Sequence, residues 1–295
     1  MVYDILCIGS VLWDVIGRSA SHMRQGSDVP GRITRLPGGV ALNIAMALAR
    51  AGLRPALLSV VGRDTEGCEL IGACTHMGIE TAFVYRSDDL PTDRYIAVEG
   101  ANGLIAAIAD AHSLESAGEK ILSPLEDGRI GDVANTYTGL VALDGNLTRD
   151  LLGLIAQSPL LQHADLRVAP ASPGKAERLA PFLKGGKSVL YVNLEEAGIL
   201  CQRTFSTSPD AAKGLLDRGA NRVLVTNGGD MACDGDASGL ITGQPRDVLV
   251  TRVTGAGDTF MAAHMTAEFN ELDREIALAQ ALEIAAQYVS GGTVL

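Results

Sequence analysis

The chain has 295 residues, of which 47% are hydrophobic and 20% charged, a composition typical of a globular protein with ample material for a core. Its formal net charge at pH 7 is −11, which disfavours nucleic acid and anionic membrane surfaces as partners. The five cysteines are odd in number and no two have CxxC spacing, so neither a disulfide framework nor a zinc site is expected. We therefore expect a cytoplasmic protein with reduced thiols.

Predicted elements alternate along most of the chain. The first apolar run contains Asp4, which indicates a strand and not a signal peptide, and no apolar stretch reaches the ~18 residues that span a bilayer. Apolar runs predict strands at 5–8, 56–61, 83–85, 140–143, 166–169, 189–192 and 223–226. Helical periodicity predicts helices at 40–51, 70–77, 150–155, 209–217 and from 259 onward. This alternation predicts one α/β domain over 1–295, with a doubly wound, mostly parallel sheet covered by helices on both faces.

Two segments interrupt this alternation. Residues 14–36 show little helical periodicity, and residues 92–110 are typical of two short strands around a turn at 99–103. Both lie where the connection between a strand and a helix is normally short. We interpret them together as a small β-lid over one edge of the sheet; ordinary surface loops are the alternative.

The segment at 248–261, VLVTRVTGAGDTFM, carries the strongest indication of chemistry. It predicts an apolar strand that runs into Gly255-Ala256-Gly257-Asp258, followed directly by a helix. Small residues at a helix start leave backbone N–H groups open to an anion, and the helix dipole adds positive charge there. A carboxylate beside such an anion hole could accept a hydroxyl proton during phosphoryl transfer. Asp258 could equally be a simple helix cap, and the local sequence does not separate the two.

Two further positions favour a ligand site. Gly38 and Gly39 stand at a predicted helix start, with Asn43 one turn into the helix, and glycines allow a ligand to approach the backbone closely. Asp14 follows the first strand, at the carboxyl end where open α/β sheets bind ligands, and its carboxylate could hold two vicinal hydroxyls. Each position alone could be only part of a turn.

Together these segments resemble the PfkB-type, ribokinase-like carbohydrate and nucleoside kinases. The resemblance covers nearly the whole chain, and its motifs occur in order. They are Gly9 with Asp14, GGVALNIAMALARAG at 38–52, GRDTEG at 62–67, NLEE at 193–196, TNG at 226–228 and GAGD at 255–258.

The resemblance implies a kinase that uses ATP and Mg²⁺, acts on a small sugar or nucleoside, and forms a homodimer through its lid. It also implies a role for each matched residue. Asp258 would be the general base, with Gly255, Ala256 and Gly257 as the anion hole. Asn193 and Glu196 would position Mg²⁺ through water, Thr226 and Gly228 would line the ATP site, and Asp14, Gly39 and Asn43 would hold the sugar.

Within this family the chain is most similar to the pseudouridine kinases. The segments that carry this similarity are VTGAGD at 253–258, PASPGKA at 170–176, LDGNL at 143–147 and the lid strands at 95–110. The similarity implies transfer of the ATP γ-phosphoryl group to the 5′-hydroxyl of pseudouridine. A kinase for ribose, a ketose or another nucleoside is the first alternative, and a catalytically silent nucleoside-binding relative is the second.

The chain also departs from the patterns of these relatives. Arg252 stands where many relatives have the Asp of DTxGAGD, which is associated with a monovalent-cation site, so activation by potassium is not expected. The other departures are Leu104 and Ala109 in the lid, Ala169 before Pro170, Val192 before Asn193, and Met231 in the nucleotide loop. The catalytic motif is intact, so the resemblance supports phosphoryl transfer more strongly than it supports one substrate.

Overall fold

The computed structural model describes residues 3–184 and 186–292, which form three β-sheets and the helices around them. In chain order the strands are β1 (Ile5–Ile8), β2 (Leu12–Arg18), β3 (Arg32–Gly38), β4 (Pro55–Leu58), β5 (Val60–Gly62), β6 (Tyr85–Ser87), β7 (Arg94–Gly100), β8 (Gly103–Asp110), β9 (Leu140–Asp144), β10 (Asp165–Ala169), β11 (Val189–Asn193), β12 (Arg222–Asn227), β13 (Asp230–Asp236) and β14 (Gly239–Gly243).

The α-helices of the described residues are α1 (Val40–Arg50), α2 (Thr65–His76), α3 (His112–Ala117), α4 (Arg149–Gln157), α5 (Leu194–Cys201), α6 (Ser208–Asp217), α7 (Ala256–Phe269) and α8 (Arg274–Val289). Short 3₁₀ segments lie at Gly118–Leu125, Pro159–Leu161 and Pro173–Leu183.

The main sheet has the strand order β14-β13-β12-β11-β10-β9-β1-β4. Strands β12 through β4 in this order are parallel, and β13 and β14 add an antiparallel edge. The carboxyl ends of the parallel strands therefore meet at one edge, where ligands bind in open α/β sheets. The predicted mostly parallel sheet is confirmed.

Hydrophobic cores lie on both faces of this sheet, because its strands carry apolar side chains on both faces. In β1, Leu6 and Ile8 belong to one core, and Ile5 and Cys7 belong to the other. The first core also contains buried residues of α4, α5 and α6, whereas the second contains those of α1, α2, α7 and α8. The predicted helices on both faces are thus confirmed.

The second sheet has four strands in the order β3-β2-β7-β8. They come from the two segments in which the sequence predicts lid strands. Asp14 pairs with Tyr95, and Tyr95 pairs with Ala109, so these three side chains lie side by side on one face. Ile96, which pairs with Ile108, points to the opposite face, as expected from strand alternation.

Two strand predictions are wrong: the run at 56–61 is divided between β4 in the main sheet and β5 in a separate two-stranded sheet with β6, and the strand before the GAGD motif does not form. Residues 244–253, which include the apolar run before the GAGD motif, form no strand and follow the surface from β14 to α7. Leu249 and Val253 are 82% and 70% exposed. The backbone of this segment pairs with the end of α8 and not with a strand, because the Thr251 N–H donates to the Val289 carbonyl at 2.8 Å. The edge that such a strand would have extended is occupied by the hairpin of β13 and β14, which the sequence reading missed.

Hydropathy along the helices gives a further result. None of the helices within 3–184 and 186–292 combines the length and the apolar character needed to cross a membrane.

Candidate active site

The start of α7 is built by a glycine turn. Gly255 is its N-cap and adopts φ 83°, a left-handed conformation that favours glycine. The first amides of a helix have no acceptor within the helix, and a Cβ placed on Gly257 would meet open space. The Ala256 N–H donates to the Val253 carbonyl at 3.0 Å, so among the described residues the amides of Gly255 and Gly257 are the ones left for an anion, at the positive end of the helix dipole.

Asp258 lies in the first turn of α7, directly beside these amides. The side-chain amide of Asn43 on α1 donates to the Asp258 carboxylate at 2.9 Å. Burial raises the pKa of Asp258 to about 7, the hydrogen bond from Asn43 opposes this rise, and the charges of Asp144, Asp14 and Glu196 add to it. A carboxyl group with a pKa near neutrality is matched to the task of a general base.

The substrate side of the cleft depends on two glycines before α1. A Cβ on Gly38 would lie 2.1 Å from the Asp14 carboxylate, and a Cβ on Gly39 would lie 2.5 Å from the Ser10 carbonyl. Gly39 also adopts φ 98° as the N-cap of α1. These glycines allow α1 to begin against β1 and the lid. Asp14 lies within lid strand β2, and burial raises its pKa to about 6.

Asp144 at the end of β9 is a residue that the sequence reading did not select. It is fully buried, and it accepts hydrogen bonds from the Ser10 N–H (2.8 Å), the Ser10 hydroxyl, the Ala41 N–H (3.3 Å) and the Asn146 N–H (2.7 Å). It therefore ties the ends of β1 and β9 to the start of α1. Its only signal in the sequence is the segment LDGNL at 143–147, which resembles the pseudouridine kinases.

Lys175 and Asn146 extend this network along the carboxyl edge of the sheet. The Lys175 ammonium donates to the Asn146 side-chain oxygen at 2.5 Å, and the Asn146 amide donates to the Ser10 hydroxyl at 3.0 Å. Burial, together with the charge of Arg178, lowers the pKa of Lys175. A polar chain thus runs from Lys175 to Ser10, whose carbonyl lies against Gly39.

Asn193 and Glu196 lie at the junction of β11 and α5. The Asn193 side chain accepts from the Glu196 N–H at 2.9 Å, and a Glu196 carboxylate oxygen accepts from the Asn193 N–H at 2.8 Å. This capping box fixes both side chains. Glu196 is 6% exposed, and burial raises its pKa to about 7. Thr226 pairs with Asn193 across β11 and β12, and Gly228 follows in the turn to β13 with φ 56°.

The residues at the capping box fit a water-mediated Mg²⁺ site. Glu196 offers a buried carboxylate, and a nearby dication would favour its charged form. In the part of the chain that the structure describes, no group of three or more His, Cys, Asp or Glu side chains could enclose a metal ion. Mg²⁺ commonly keeps several waters and uses few protein ligands, so this arrangement suits it.

The predicted site residues thus converge on one edge of the main sheet. Asp14, Asp258 and Glu196 are close enough for their charges to interact. Asn43 joins α1 to α7 through Asp258, and Thr226 stands beside Asn193.

Comparisons with known proteins agree with this arrangement. A family model described as pfkB family carbohydrate kinase matches residues 3–293. The chain is 29% identical over 263 residues to the pseudouridine kinase of Escherichia coli (strain K12), covering 88% of this chain and 81% of that protein. It is 27% identical over 295 residues to the guanosine-inosine kinase of Exiguobacterium acetylicum, covering 97% and 94% of the two chains.

A solved structure shows the same fold. The Arabidopsis thaliana ribokinase complexed with ribose and ATP has a TM-score of 0.77 to this chain, with 17% identity and coverage of 98% and 93%. The chain therefore belongs to the pfkB family of carbohydrate kinases, and it is a phosphotransferase that acts on a carbohydrate or nucleoside.

Proposed function

We propose that the protein transfers the γ-phosphoryl group of ATP to the 5′-hydroxyl of a nucleoside, with pseudouridine as the preferred substrate. The observation that carries the phosphoryl transfer is Asp258, a carboxylate with a pKa near 7 that Asn43 holds beside the open amides of α7. The proton acceptor and the anion hole are thus adjacent, as is required when a hydroxyl group attacks a phosphate.

The reaction follows from this placement. The substrate oxygen forms a bond to the γ-phosphorus, the bond from that phosphorus to the β,γ-bridging oxygen breaks, and ADP leaves with the electron pair. Asp258 takes the hydroxyl proton. The amides of Gly255 and Gly257 stabilise the charge on the transferred group, and Ala256 keeps the turn between them through its bond to the Val253 carbonyl. Thr226 and Gly228 would line the ATP side, and Asn193 and Glu196 would hold Mg²⁺ through water. When bound, Mg²⁺ neutralises phosphate charge in a cleft that is rich in carboxylates.

Two groups of side chains support a nucleoside over a free sugar. Asp14, Gly39 and Asn43 line the part of the cleft nearest to Asp258 and would hold the ribose hydroxyls. Beyond Ser10, Asn146 and Lys175 offer an amide and an ammonium group at the same edge. Lys175 donates one of its three N–H groups to Asn146, and the others could donate to the carbonyl oxygens of a uracil ring. Both nucleoside kinases named above agree with this preference.

A substrate panel tests the proposal. We expect ADP formation with ATP and pseudouridine to exceed that with uridine, inosine, ribose or fructose by at least tenfold in kcat/KM. As a specificity control, Lys175→Met should reduce kcat/KM for pseudouridine more than for ribose, because ribose carries no base. Faster turnover of a free sugar would contradict the nucleoside assignment. Binding of pseudouridine without any turnover would favour the silent relative.

The second sheet supports a lid that pairs two chains. On the face opposite Asp14, Ile33 and Ile108 are 76% and 67% exposed, and Ile96 is 42% exposed. Exposed apolar strands favour association. We propose a homodimer in which these faces meet, and we expect sedimentation velocity to give the mass of two chains. Ile33→Glu with Ile108→Glu should give one chain, whereas the exposed helix residue Leu154→Glu should leave the dimer intact.

We propose that the enzyme works in the cytoplasm. ATP is abundant in the cytoplasm, and all five cysteines are free thiols. Reduced cysteines are typical of cytoplasmic proteins, so we place the enzyme there.

A further inference from the structure

The segment that enters the anion-hole turn is attached to the end of α8. The Thr251 and Arg252 N–H groups both donate to the Val289 carbonyl, at 2.8 and 3.2 Å. Val253 and Thr254 are exposed, so their side chains add little packing to hold the turn. The turn has its own hydrogen bond from the Ala256 N–H to the Val253 carbonyl at 3.0 Å, and the segment that leads into it is anchored by α8.

Arg252 closes the carboxyl end of α8. Its guanidinium carbon lies 3.7 Å from the centroid of the Tyr288 ring. Its Nε donates to the Tyr288 carbonyl at 2.7 Å, and a terminal nitrogen donates to the Gly292 carbonyl at 3.4 Å. A cation is favourable at the negative end of a helix dipole and over an aromatic face. The Arg252 side chain thus contacts both the ring and the backbone carbonyl of Tyr288.

Tyr288 passes this contact on to the turn. Its hydroxyl donates to the Thr254 carbonyl at 2.9 Å. The same hydroxyl lies 2.6 Å from the position that a Cβ on Gly255 would take, so it packs directly against the N-cap of α7. The peptide that joins Thr254 to Gly255 is therefore held by a hydrogen bond on its oxygen, which orients its N–H group on the other side.

We propose that Arg252 and Tyr288 are positioning residues that fix the amides of Gly255 and Gly257 for the transferred phosphoryl group. The proposal rests on the proposed kinase function and gives a role to Arg252, a departure from the family pattern. Neither side chain contacts Asp258 in the described structure, so both act through the geometry of the turn. Their effect should fall on the transition state, where the anion hole acts, and not on nucleoside binding.

Two variants test the roles of Tyr288 and Arg252 separately. Tyr288→Phe removes only the hydroxyl and keeps the ring beneath Arg252, whereas Arg252→Ala removes the cation. We expect kcat to fall about tenfold for Tyr288→Phe and roughly 10–100-fold for Arg252→Ala, since loss of a donor in an oxyanion hole costs about 10²–10³ in kcat. The KM for the nucleoside should change less than threefold. Added guanidinium ion should restore part of kcat in Arg252→Ala but not in Tyr288→Phe.

Arg246→Ala is the matched control. Arg246 is an exposed arginine in the same segment and bridges Glu283 of α8 at 3.4 Å, so its loss changes the net charge equally. It should leave kcat unchanged.

Wild-type kcat in both test variants would overturn the inference. The inference would also be overturned if kcat and the melting temperature fell in parallel and guanidinium ion restored no activity, because a purely structural role predicts that result. An inactive wild-type protein would contradict the proposed function itself, which the substrate panel detects separately.

Discussion

Replacing Asp258 with Asn is expected to lower kcat by about 10³-fold or more while nucleoside binding stays within a fewfold, because general bases contribute roughly 10²–10⁴ to rate. Asparagine keeps the shape of the side chain and can still contact Asn43, but it cannot accept the hydroxyl proton at neutral pH. Initial rates of ADP formation and titration calorimetry with the nucleoside measure the two quantities. Asp210→Asn, in the first turn of α6, is the control and should retain wild-type activity.

The same substitution should stabilise the fold. The pKa of Asp258 is raised by burial, so the folded protein disfavours its charged form. Stability is therefore lost as pH rises from the unfolded value of 3.8 through about 7. At about 1.36 kcal/mol per pKa unit the lost free energy of unfolding is at most ~4 kcal/mol, and the partial exposure of the carboxyl reduces it to roughly half. The melting temperature of Asp258→Asn should exceed that of the wild type at pH 8 and match it near pH 4.

The pH profile of the wild type provides the companion measurement. A base must be unprotonated in the free enzyme, so kcat/KM should rise with pH and level off above about 7, the pKa of Asp258. The pKa values of Glu196, about 7, and Asp14, about 6, fall in the same range and should steepen the acid limb. A profile that is flat from pH 5 to 8 would remove Asp258 from the proton transfer. An unchanged rate in Asp258→Asn would do the same.

The main sheet was predictable because its parallel strands are short, buried and apolar. The runs at Ile5–Ile8 and Val189–Asn193 have few polar residues, a pattern that indicates a buried strand from the local sequence alone. The lid strands were also predictable, because their segments lack helical periodicity where a connection should be short. The roles of the matched site residues came from the family resemblance and not from periodicity.

Other features depend on contacts that a local pattern does not contain. The apolar run before Thr254 has the composition of a strand. However, β14 is the edge strand on that side of the sheet, and the chain pairs with α8 instead. Arg252 reads as a simple departure from a motif until Tyr288, far along the chain, is placed beneath it. Asp144 reads as a strand end until the donors of Ser10 and Ala41 converge on it. Each depends on a partner more than 30 residues away, which one sequence does not identify.

Replacing Asp144 with Ala is expected to destabilise the fold by roughly 3–5 kcal/mol, because each buried donor that loses its acceptor costs about 1–3 kcal/mol. Three backbone amides, of Ser10, Ala41 and Asn146, would lose their shared carboxylate. The melting temperature should fall by roughly 10 °C, and kcat/KM should fall because the start of α1, which carries Gly39 and Asn43, is no longer fixed.

Asp144→Asn tests the same role of Asp144 with the loss of fewer hydrogen bonds. Its oxygen can replace the Oδ2 atom, which accepts from Ser10 and Ala41, so only the bond from the Asn146 N–H to Oδ1 is lost. The cost should therefore be about 1–2 kcal/mol. Its lost negative charge should also lower the pKa of Asp258 and move the acid limb of the pH profile to lower pH, since the charge of Asp144 raises that pKa. Asp150→Ala, an exposed residue six positions along the chain, should change neither quantity. Equal melting temperatures for Asp144→Ala and the wild type would show that these amides find other acceptors, and Asp144 would then not be what connects β1, β9 and α1.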